Sequence, residues 1–289
     1  MRIDLHTHST ASDGTDGPDQ LVAAAQRAEL DVIAVCDHDN FAAVLPAQRR
    51  GQQVGVTVLN GLELSCCLAE PDGGPVRQVH LLGYGCRHDD VELGEELQRA
   101  RAGRFGRVGA MCDRLTALGL AITEDEVLAQ AADSPSIGRP HIADVLVSKG
   151  YVADRRQAFD EYLGDGKPAY VSRYYTPLQT GVALVHRAGG VAVVAHAWGP
   201  GSRAALPLHV LTGLVADAGL DGVEVDHPDH DDDVRAVLGA LTTELGLIRT
   251  GASDYHGAGK TGNDLGSCTT GVEQFERLVA EIDRRGGRR

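Results

Sequence analysis

Residues 2–39 read RIDLHTHSTASDGTDGPDQLVAAAQRAELDVIAVCDHD and contain a short apolar strand, an Ala-rich helix and a second apolar strand. Further strand candidates are VGVTVLNGLEL (54–64), QVHLLGY (78–84), VAVVAH (191–196), DGVEVDH (221–227) and LIRTGASD (247–254). Helical patterns separate the later strand candidates from one another. The helix before VAVVAH is predicted to have Thr176 as its N-cap and Pro177 as its first residue. This alternation predicts an α/β fold with a largely parallel sheet.

The bulk composition limits the class of protein. The chain has 289 residues, of which 43% are hydrophobic, and this suits a folded domain better than a disordered or fibrous chain. Its 41 acidic and 27 basic residues give a formal net charge of -14 at pH 7. Such a charge disfavours long nucleic acids, because their binding relies on basic side chains that neutralise phosphates. A small phosphorylated substrate is compatible, since bound divalent ions reverse the field locally.

The pattern of cysteines and the shortness of the apolar runs indicate the cellular compartment of the protein. The six cysteines show no C-x-x-C spacing, so we expect reduced, mostly buried thiols. The sequence has no leader-like apolar region near its start and no apolar run of spanning length. We therefore predict a cytoplasmic protein without membrane contact.

Between residues 92 and 170 the rhythm changes to consecutive helical patterns without convincing strands. Thr123 and Glu126 have the spacing of a capping box at the start of one of these helices. We predict two parts: an α/β barrel from residues 1–91 and 171–289, and a small helical insertion, residues 92–170, that caps the substrate.

Histidine and carboxylate side chains recur where the predicted strands end. Together with Asp13 from the first loop, nine candidates result: His6, His8, Asp13, His38, Glu63, His80, His196, Asp254 and His256. In a barrel of parallel strands, these ends meet on one face. Imidazole and carboxylate ligands suit Zn²⁺, Mn²⁺ or Fe²⁺, and nine ligands are enough for two or three ions. Such ions polarise a phosphoryl oxygen and generate a nucleophilic hydroxide near neutral pH.

The motifs HTHS (6–9), CDHD (36–39), VVAH (193–196) and ASDYH (252–256), with the separate Glu63 and His80, resemble in order those of the PHP family. This is the polymerase and histidinol phosphatase family of metal-dependent phosphoesterases. The resemblance covers nearly the whole chain and implies a distorted (β/α)7 TIM-like barrel. It also implies three ions, bound respectively by His6, His8, Glu63 and Asp254; by Glu63, His80 and His196; and by Asp13, His38 and His256.

The helical insertion indicates which subgroup of the PHP family the chain resembles. SIGRPHIADVLVSKG (136–150) resembles the insertion of PHP phosphoesterases that act on 3',5'-bisphosphonucleotides, and that of related 5'-3' exoribonucleases. The G-R-x-H match implies that Arg139 and His141 face the metal site and help hold a phosphate, with Lys167 as a further candidate. From the residues alone, Arg139 could equally cap or solvate a helix.

Three further residues lie next to these motifs. His227 falls at a strand end within an acidic loop and is predicted to be a substrate-side residue rather than a ligand. Asp37 and Asp39 flank His38, and either orient its ring or are surface acids.

The leading functional prediction is a metal-dependent phosphatase that converts nucleoside 3',5'-bisphosphates such as pAp into the 5'-monophosphate and phosphate. A hydroxide bridging two or three divalent ions (Mn, Fe or Zn) would attack phosphorus, with Asp254, His196 and Arg139 as the catalytic set. The alternatives are a 5'-3' exoribonuclease on short RNA, a histidinol phosphatase, and a non-catalytic metal-binding module. The expected partner is a small phosphorylated nucleotide or a short RNA, without long nucleic acid.

Overall fold

The computed structural model describes residues 1–68, 77–199 and 206–289. Strands and helices alternate along much of this mixed α/β chain. The strands are β1 Ile3–Thr7, β2 Val32–Val35, β3 Thr57–Asn60, β4 Glu63–Leu68, β5 Arg77–Tyr84, β6 Thr176–Pro177, β7 Val191–Val194, β8 Gly222–Asp226 and β9 Ile248–Gly251. The helices that belong with these strands are α1 Pro18–Arg27, α2 Val44–Val54, α8 Leu178–Arg187, α9 Leu208–Ala218, α10 Asp232–Glu244 and α11 Val272–Arg285.

The remaining helices, α3 to α7, are consecutive. They are α3 Val91–Gly106, α4 Val108–Ala117, α5 Glu124–Ala131, α6 Arg139–Ser148 and α7 Arg155–Ala158, the last continuing into a π-helical turn, Phe159–Leu163. Helices α4 to α7 share an apolar core that includes Met111, Leu115, Ile142 and Leu146. Helix α3 instead packs its Leu93 and Leu97 into the core cluster that contains residues of β4 and β5. The helical content predicted for this region is therefore present, and its treatment as a separate capping domain stays our proposal.

The strands form two sheets. A parallel three-stranded sheet has the order β1-β2-β3, and a six-stranded sheet has the order β6-β4-β5-β7-β8-β9. Isolated bridges between Thr7 and Tyr255 and between His38 and Glu63 join the two sheets. Within the described ranges, single bridges rather than continuous ladders make these two connections. The arrangement agrees with the predicted distorted TIM-like barrel.

The first strand–helix–strand unit shows why the sequence folds this way. Pro18 occupies the first turn of α1, where its missing N–H is not needed. The helix buries Leu21 and Val22, which pack on Ile33 and Val35 of β2. Fully burying a side chain such as Leu21 contributes about 1.5–3 kcal/mol. The amphipathic face of α1 thus fixes the helix against the parallel sheet.

Two strand predictions need correction. Glu63 does not end a long strand; it begins β4, and His80 lies in the middle of β5, which pairs antiparallel with β4 and β7. The break between β3 and β4 occurs at Gly61, where a Cβ atom would lie 2.7 Å from the Val35 carbonyl oxygen. This close approach lets the chain leave one sheet and enter the other.

A third correction concerns the helix before β7. Thr176 and Pro177 pair with Cys66 and Cys67 of β4, so α8 begins at Leu178 instead of at Pro177. The Thr176 hydroxyl donates to a Glu96 carboxylate oxygen and does not cap the helix. By contrast, the capping box at α5 forms as predicted.

The state of the cysteines and the length of the apolar helices were also predicted from the sequence. All six cysteines are free, and five of them are buried. None of the helices in the described ranges combines the length and apolarity needed to cross a bilayer.

Candidate metal centre

His6 and His8 lie at the end of β1 with both rings buried. Their Nε2 atoms face each other at 3.0 Å. After β9, Asp254 brings its Oδ1 to 3.4 Å from His6 Nε2 and 3.3 Å from His8 Nε2. The three residues can offer one ligand atom each to a shared ion. The alternation along the first strand therefore places both histidines on the face that Asp254 reaches.

Glu63 lies at the centre of the predicted ligands. Its Oε2 is 3.2 Å from His8 Nε2 and 2.9 Å from His38 Nδ1. Its Oε1 is 2.7 Å from His80 Nδ1 and 3.1 Å from His196 Nε2. Glu63 therefore presents one carboxylate oxygen to His8 and His38 and the other to His80 and His196, as suits a ligand that two ions would share.

A third group forms around Asp13. Its Oδ2 is 3.5 Å from His38 Nε2, and its Oδ1 is 3.4 Å from His256 Nε2 and 3.6 Å from His8 Nδ1. His38 thus presents one ring nitrogen to Asp13 and the other to Glu63. Eight of the nine candidates fall into three groups that could each hold an ion, and His196 joins them through Glu63. His8 and His38 each belong to two of these groups, whereas the predicted division assigned each of them to one ion.

The geometry and chemistry of this cluster fit divalent metal ions. Nitrogen and oxygen ligands about 2.0–2.2 Å from one ion lie roughly 3.0–3.6 Å apart, and most of the facing atoms here are separated by such distances. Asp13 Oδ1, His38 Nδ1 and His80 Nδ1 are buried, and none has a hydrogen-bond partner within the described part of the chain. Buried polar atoms without a hydrogen-bond partner indicate that a bound ligand is needed to satisfy them. Their role as metal ligands stays a proposal.

The electrostatics of the cluster suit cation binding. Burial alone would raise the pKa of Glu63, but the imidazoles of His80 and His38 lower it well below its usual range. The pKa of Asp13 is also held well below its usual range, since the charges of His38 and His256 outweigh its burial. Burial lowers the pKa of His80 to about 4, whereas the carboxylates of Asp254 and Glu63 raise the pKa of His8 to about 10 despite its burial. Ionised carboxylates and neutral imidazole are the forms that bind metal.

Two of the site residues have strained backbone. His196 and Asp254 adopt positive φ angles of 27° and 51°, a region that non-glycine residues seldom enter. Such strain costs on the order of 1–3 kcal/mol and clusters at functional sites. It indicates that the chain is held in this shape to aim the two side chains.

Glu224 on β8 is a further site residue that the sequence patterns did not predict. This residue is fully buried, its Oε1 lies 3.1 Å from His6 Nδ1, and its Oε2 accepts the His196 backbone N–H at 2.7 Å. The charge of His6 lowers the pKa of Glu224 to about 2 despite its burial. The sequence does contain a feature that could have revealed it: Glu224 lies between two valines of a buried strand, where an unpaired charge would be unfavourable.

Sequence patterns also did not predict that Lys260 and Arg155 contact residues of this cluster. Lys260 Nζ lies 2.7 Å from Asp254 Oδ2 and 3.4 Å from Asp229 Oδ2, at the edge of the cluster. Arg155 of α7 donates to the backbone oxygen of Asp13 at 2.9 Å. These contacts join sequence-distant segments, so local patterns could not reveal them.

Asp37 and Asp39 are buried and are not surface acids. Asp37 accepts hydrogen bonds from Ser9 and Ser12, which fixes the loop after β1. Asp39 accepts from Arg104 Nε at 2.6 Å, and this charge holds its pKa near 2 despite burial. Both residues brace the surrounding loops instead of binding the His38 ring.

The predicted substrate residues lie in different environments. Arg139 donates to Gln78 Oε1 at 3.2 Å, and His141 Nδ1 accepts the Gly138 N–H at 3.1 Å. Lys167 is exposed beyond the π-helical turn. The His227 ring is fully buried with Nε2 3.5 Å from Asp254 Oδ2. A contact between His227 and substrate stays a prediction, because in this structure the ring lies against Asp254.

A cavity of about 900 Å³ opens over the cluster. Its lining on one side includes His80, His196 and Asp254, and on the other it includes Pro140 and Phe159 from the helical region. The consecutive helices therefore face the candidate metal centre across a space large enough for a small molecule.

The fold, the histidine–carboxylate cluster and the comparisons with known proteins define a metal-dependent phosphoesterase. The chain belongs to the PHP domain family, whose model matches residues 4–162. It is 33% identical to a 3',5'-nucleoside bisphosphate phosphatase of Chromobacterium violaceum, over 91% of this chain and 90% of that protein. It is 32% identical to a 5'-3' exoribonuclease of Haemophilus influenzae, over 88% of this chain and 90% of that protein.

A solved structure gives the same assignment. A protein of Bifidobacterium adolescentis, described as a candidate metal-dependent phosphoesterase, superposes with a TM-score of 0.89 at 32% identity and covers 96% of both chains. The family, the fold class and the phosphoric ester hydrolase activity predicted from the sequence are confirmed. The non-catalytic alternative is set aside.

Proposed function

We propose that this protein hydrolyses the 3'-phosphate of nucleoside 3',5'-bisphosphates, converting pAp into AMP and phosphate. The observation that carries the proposal is the contact of Arg139 with Gln78, on the strand that also carries His80. Arg139 binds Gln78, which is two residues before His80 and on the same face of β5. A guanidinium beside a metal cluster is suited to hold phosphate oxygens. The likeness to the bisphosphate phosphatase supports the same substrate class.

The Arg139 side chain is pre-positioned by its neighbours. Its Nη1 donates to Asp165 Oδ1 at 2.7 Å, and its guanidinium lies 5.3 Å and 5.6 Å from the ring centres of Phe159 and Tyr170. These contacts restrict the side chain before substrate arrives, which lowers the entropic cost of binding. Lys167, His141 and His227 are proposed as further substrate-side residues.

We assign the metal ligands to the nine clustered residues: His6, His8, Asp13, His38, Glu63, His80, His196, Asp254 and His256. Two or three divalent ions (Mn, Fe or Zn) held there would supply Lewis-acid activation of a phosphoryl oxygen and of water. Arg139 neutralises charge on the phosphate, and Asp254 and His196 hold the centre in place. The cytoplasmic location stays a prediction.

A second candidate function is 5'-3' exonucleolytic trimming of short RNA. The likeness to the Haemophilus influenzae exoribonuclease favours it, and the same ligands and Arg139 would serve a phosphodiester. The formal charge of -14 argues against long RNA but permits a few nucleotides at the cavity. Histidinol phosphate is less well suited, since so small a substrate leaves the G-R-x-H segment without a role.

The test is phosphate release in Mn²⁺ from pAp, from AMP, from histidinol phosphate and from a short 5'-phosphorylated RNA, with products resolved by chromatography. We expect pAp to give AMP and phosphate far faster than the other compounds react. If the RNA is instead shortened to mononucleotides with no preference for pAp, the exonuclease assignment replaces the phosphatase one. Faster hydrolysis of histidinol phosphate would overturn both.

A further inference from the structure

Arg155, the first residue of α7, connects the helical region (α3 to α7) to the loop that follows β1. Its Nη1 donates to the backbone oxygen of Asp13 at 2.9 Å. Its Nε and Nη2 donate to the two carboxylate oxygens of Asp144, on α6, at 2.6 Å and 2.7 Å. One guanidinium therefore joins two helices of this region to the loop that carries a proposed metal ligand.

The same guanidinium packs against the loop that follows β9, which carries Asp254 and His256. A Cβ atom at Gly259 of this loop would lie 2.6 Å from Arg155 Cζ, so the guanidinium occupies the space that a side chain there would need. The two loops also contact each other, because Thr15 N donates to the His256 backbone oxygen at 3.1 Å. Arg155 therefore lies where both ligand-bearing loops meet the helical region.

The donors of Arg155 are occupied by acceptors of the protein. Each of its three guanidinium nitrogens donates to Asp144 or to Asp13. Burial alone would lower the pKa of Arg155, but the hydrogen bonds and the charge of Asp144 raise it. A bidentate pair of this kind fixes the plane of the guanidinium. Such a geometry suits a residue that holds other residues in place more than one that binds substrate.

The position of the Asp13 carboxylate depends on how its backbone is held. Its Oδ1 is buried and has no hydrogen-bond partner in the described ranges, and the imidazole nitrogens around the carboxylate lie 3.4–3.6 Å from its oxygens. The backbone oxygen of Ser12 accepts from Ser134 Oγ, between α5 and α6, at 3.0 Å. The helical region thus contacts two consecutive backbone oxygens of this loop, and only Arg155 does so with a charge-assisted hydrogen bond at Asp13 itself.

We propose that Arg155 is a positioning residue of the metal centre. It holds the backbone of Asp13, and therefore the Asp13 carboxylate, in the place where a divalent ion binds, and Asp144 acts through it. This inference rests on the ligand role proposed for Asp13 and extends the centre to the helical region, which supplies none of the nine proposed ligands.

The first experiment titrates metal-free protein with Mn²⁺ by calorimetry. In Arg155→Gln we expect the affinity for one class of ion to fall by about 10- to 100-fold, while the remaining ions bind as in the wild type. Arg155→Lys keeps the charge but cannot contact Asp144 and Asp13 at once, so it should not restore the affinity. The matched control is Arg284→Gln on α11, which removes an exposed arginine that pairs through two nitrogens with Glu281. Wild-type Mn²⁺ affinity in either Arg155 variant would overturn the proposal.

Two further variants disturb Arg155 without replacing it. In Gly259→Ala the new methyl group would displace the guanidinium, and in Asp144→Asn the charged partner is lost. Each should weaken Mn²⁺ binding as Arg155→Gln does. Combining Asp144→Asn with Arg155→Gln should add little to the loss, because both changes act on one contact. Gly94→Ala, with open space around its Cβ, is the control for the added methyl group. Fully additive losses would show that Asp144 does not act through Arg155.

Hydrogen exchange in metal-free protein tests the contact without metal or substrate. The amide of Gly14 bonds to the Ser9 backbone oxygen at 3.0 Å, within the loop that Arg155 holds. In Arg155→Gln we expect this amide and its neighbours to exchange about 10-fold faster, because opening the loop no longer breaks a charge-assisted hydrogen bond. Peptides from α11 serve as the internal reference. Unchanged exchange in the loop would overturn the proposal.

Kinetics with pAp distinguish positioning from substrate binding. At limiting Mn²⁺ we expect Arg155→Gln to lower kcat by about 10-fold with little change in KM, and to recover as Mn²⁺ is raised. A higher KM with unchanged kcat would assign Arg155 to substrate binding and reject the positioning role. If the wild type binds Mn²⁺ but does not hydrolyse pAp, the substrate proposal fails, and the Mn²⁺ affinity of Arg155→Gln still tests the positioning role. Equal pAp hydrolysis and equal Mn²⁺ affinity in both proteins would retain the proposed function and reject this inference.

Discussion

Glu224 Oε1 lies 3.1 Å from Nδ1 of His6, while Nε2 of the same ring faces His8 Nε2 at 3.0 Å. A carboxylate that binds one imidazole nitrogen selects the tautomer and leaves the other nitrogen for a metal ion. The second oxygen of Glu224 holds the backbone of His196. Glu224 therefore orients one proposed ligand and anchors another without itself facing the cavity.

We expect Glu224→Gln to weaken metal binding by about 10- to 100-fold, because the neutral amide holds the His6 ring less strongly. Calorimetric titration of metal-free protein with Mn²⁺ would measure this change. The matched control is Glu244→Gln, at the exposed end of α10, which should bind metal as the wild type does. Unaltered Mn²⁺ affinity in Glu224→Gln would show that the contact with His6 does not serve the metal centre.

Metal removal should lower the thermal stability. The buried carboxylates Glu63, Asp13 and Asp254 repel one another unless cations lie between them. At a free metal concentration 100 times Kd, one bound ion stabilises the folded protein by about 2.7 kcal/mol. This corresponds to a rise of roughly 5–8 °C in Tm. Differential scanning fluorimetry in EDTA and along a Mn²⁺ titration would measure it; an identical Tm under both conditions would rule out metal binding at the cluster.

Asp254→Asn should abolish turnover and leave the fold intact. The carboxylate faces both His6 and His8, and an amide in its place is a much poorer metal ligand. We expect phosphate release from pAp to fall by more than about 100-fold, with an unchanged circular dichroism spectrum. Asp283→Asn removes an exposed carboxylate and should keep full activity. An active, metal-free Asp254→Asn protein would refute the proposed site.

Much of the candidate site was predictable from the sequence, because its signals are local. The two-residue spacing of His6 and His8 on a short strand, and the polar residues after β2, β7 and β9, each follow from the pattern of one segment. Parallel strands then bring these ends to one face. This explains the meeting of the ligand candidates after β1, β2, β7 and β9, whereas Glu63 and His80 join them through the antiparallel strands β4 and β5.

Other features depend on contacts between distant segments and had no local signal. The antiparallel pairing that centres Glu63 and His80 arises from a change of sheet partner, which hydrophobic periodicity does not encode. The contact of Arg104 with Asp39 similarly joins segments that are far apart in the chain. Sequence patterns identified the ligands of this site but not the residues that surround them.

Gly61 is the residue on which the change of sheet partner depends, and its replacement tests this explanation. In Gly61→Ala the new methyl group would lie 2.7 Å from the Val35 oxygen and 2.6 Å from Cys36 Sγ, so the strands must move apart. We expect a loss of about 1–3 kcal/mol in the free energy of unfolding, measured by urea denaturation. Because Glu63 follows two residues later, Mn²⁺ affinity should fall as well. Gly94→Ala, at an exposed position of α3 with open space around its Cβ, should be neutral or stabilising. Equal stability of the two variants would mean that the strand break does not depend on the close approach at Gly61.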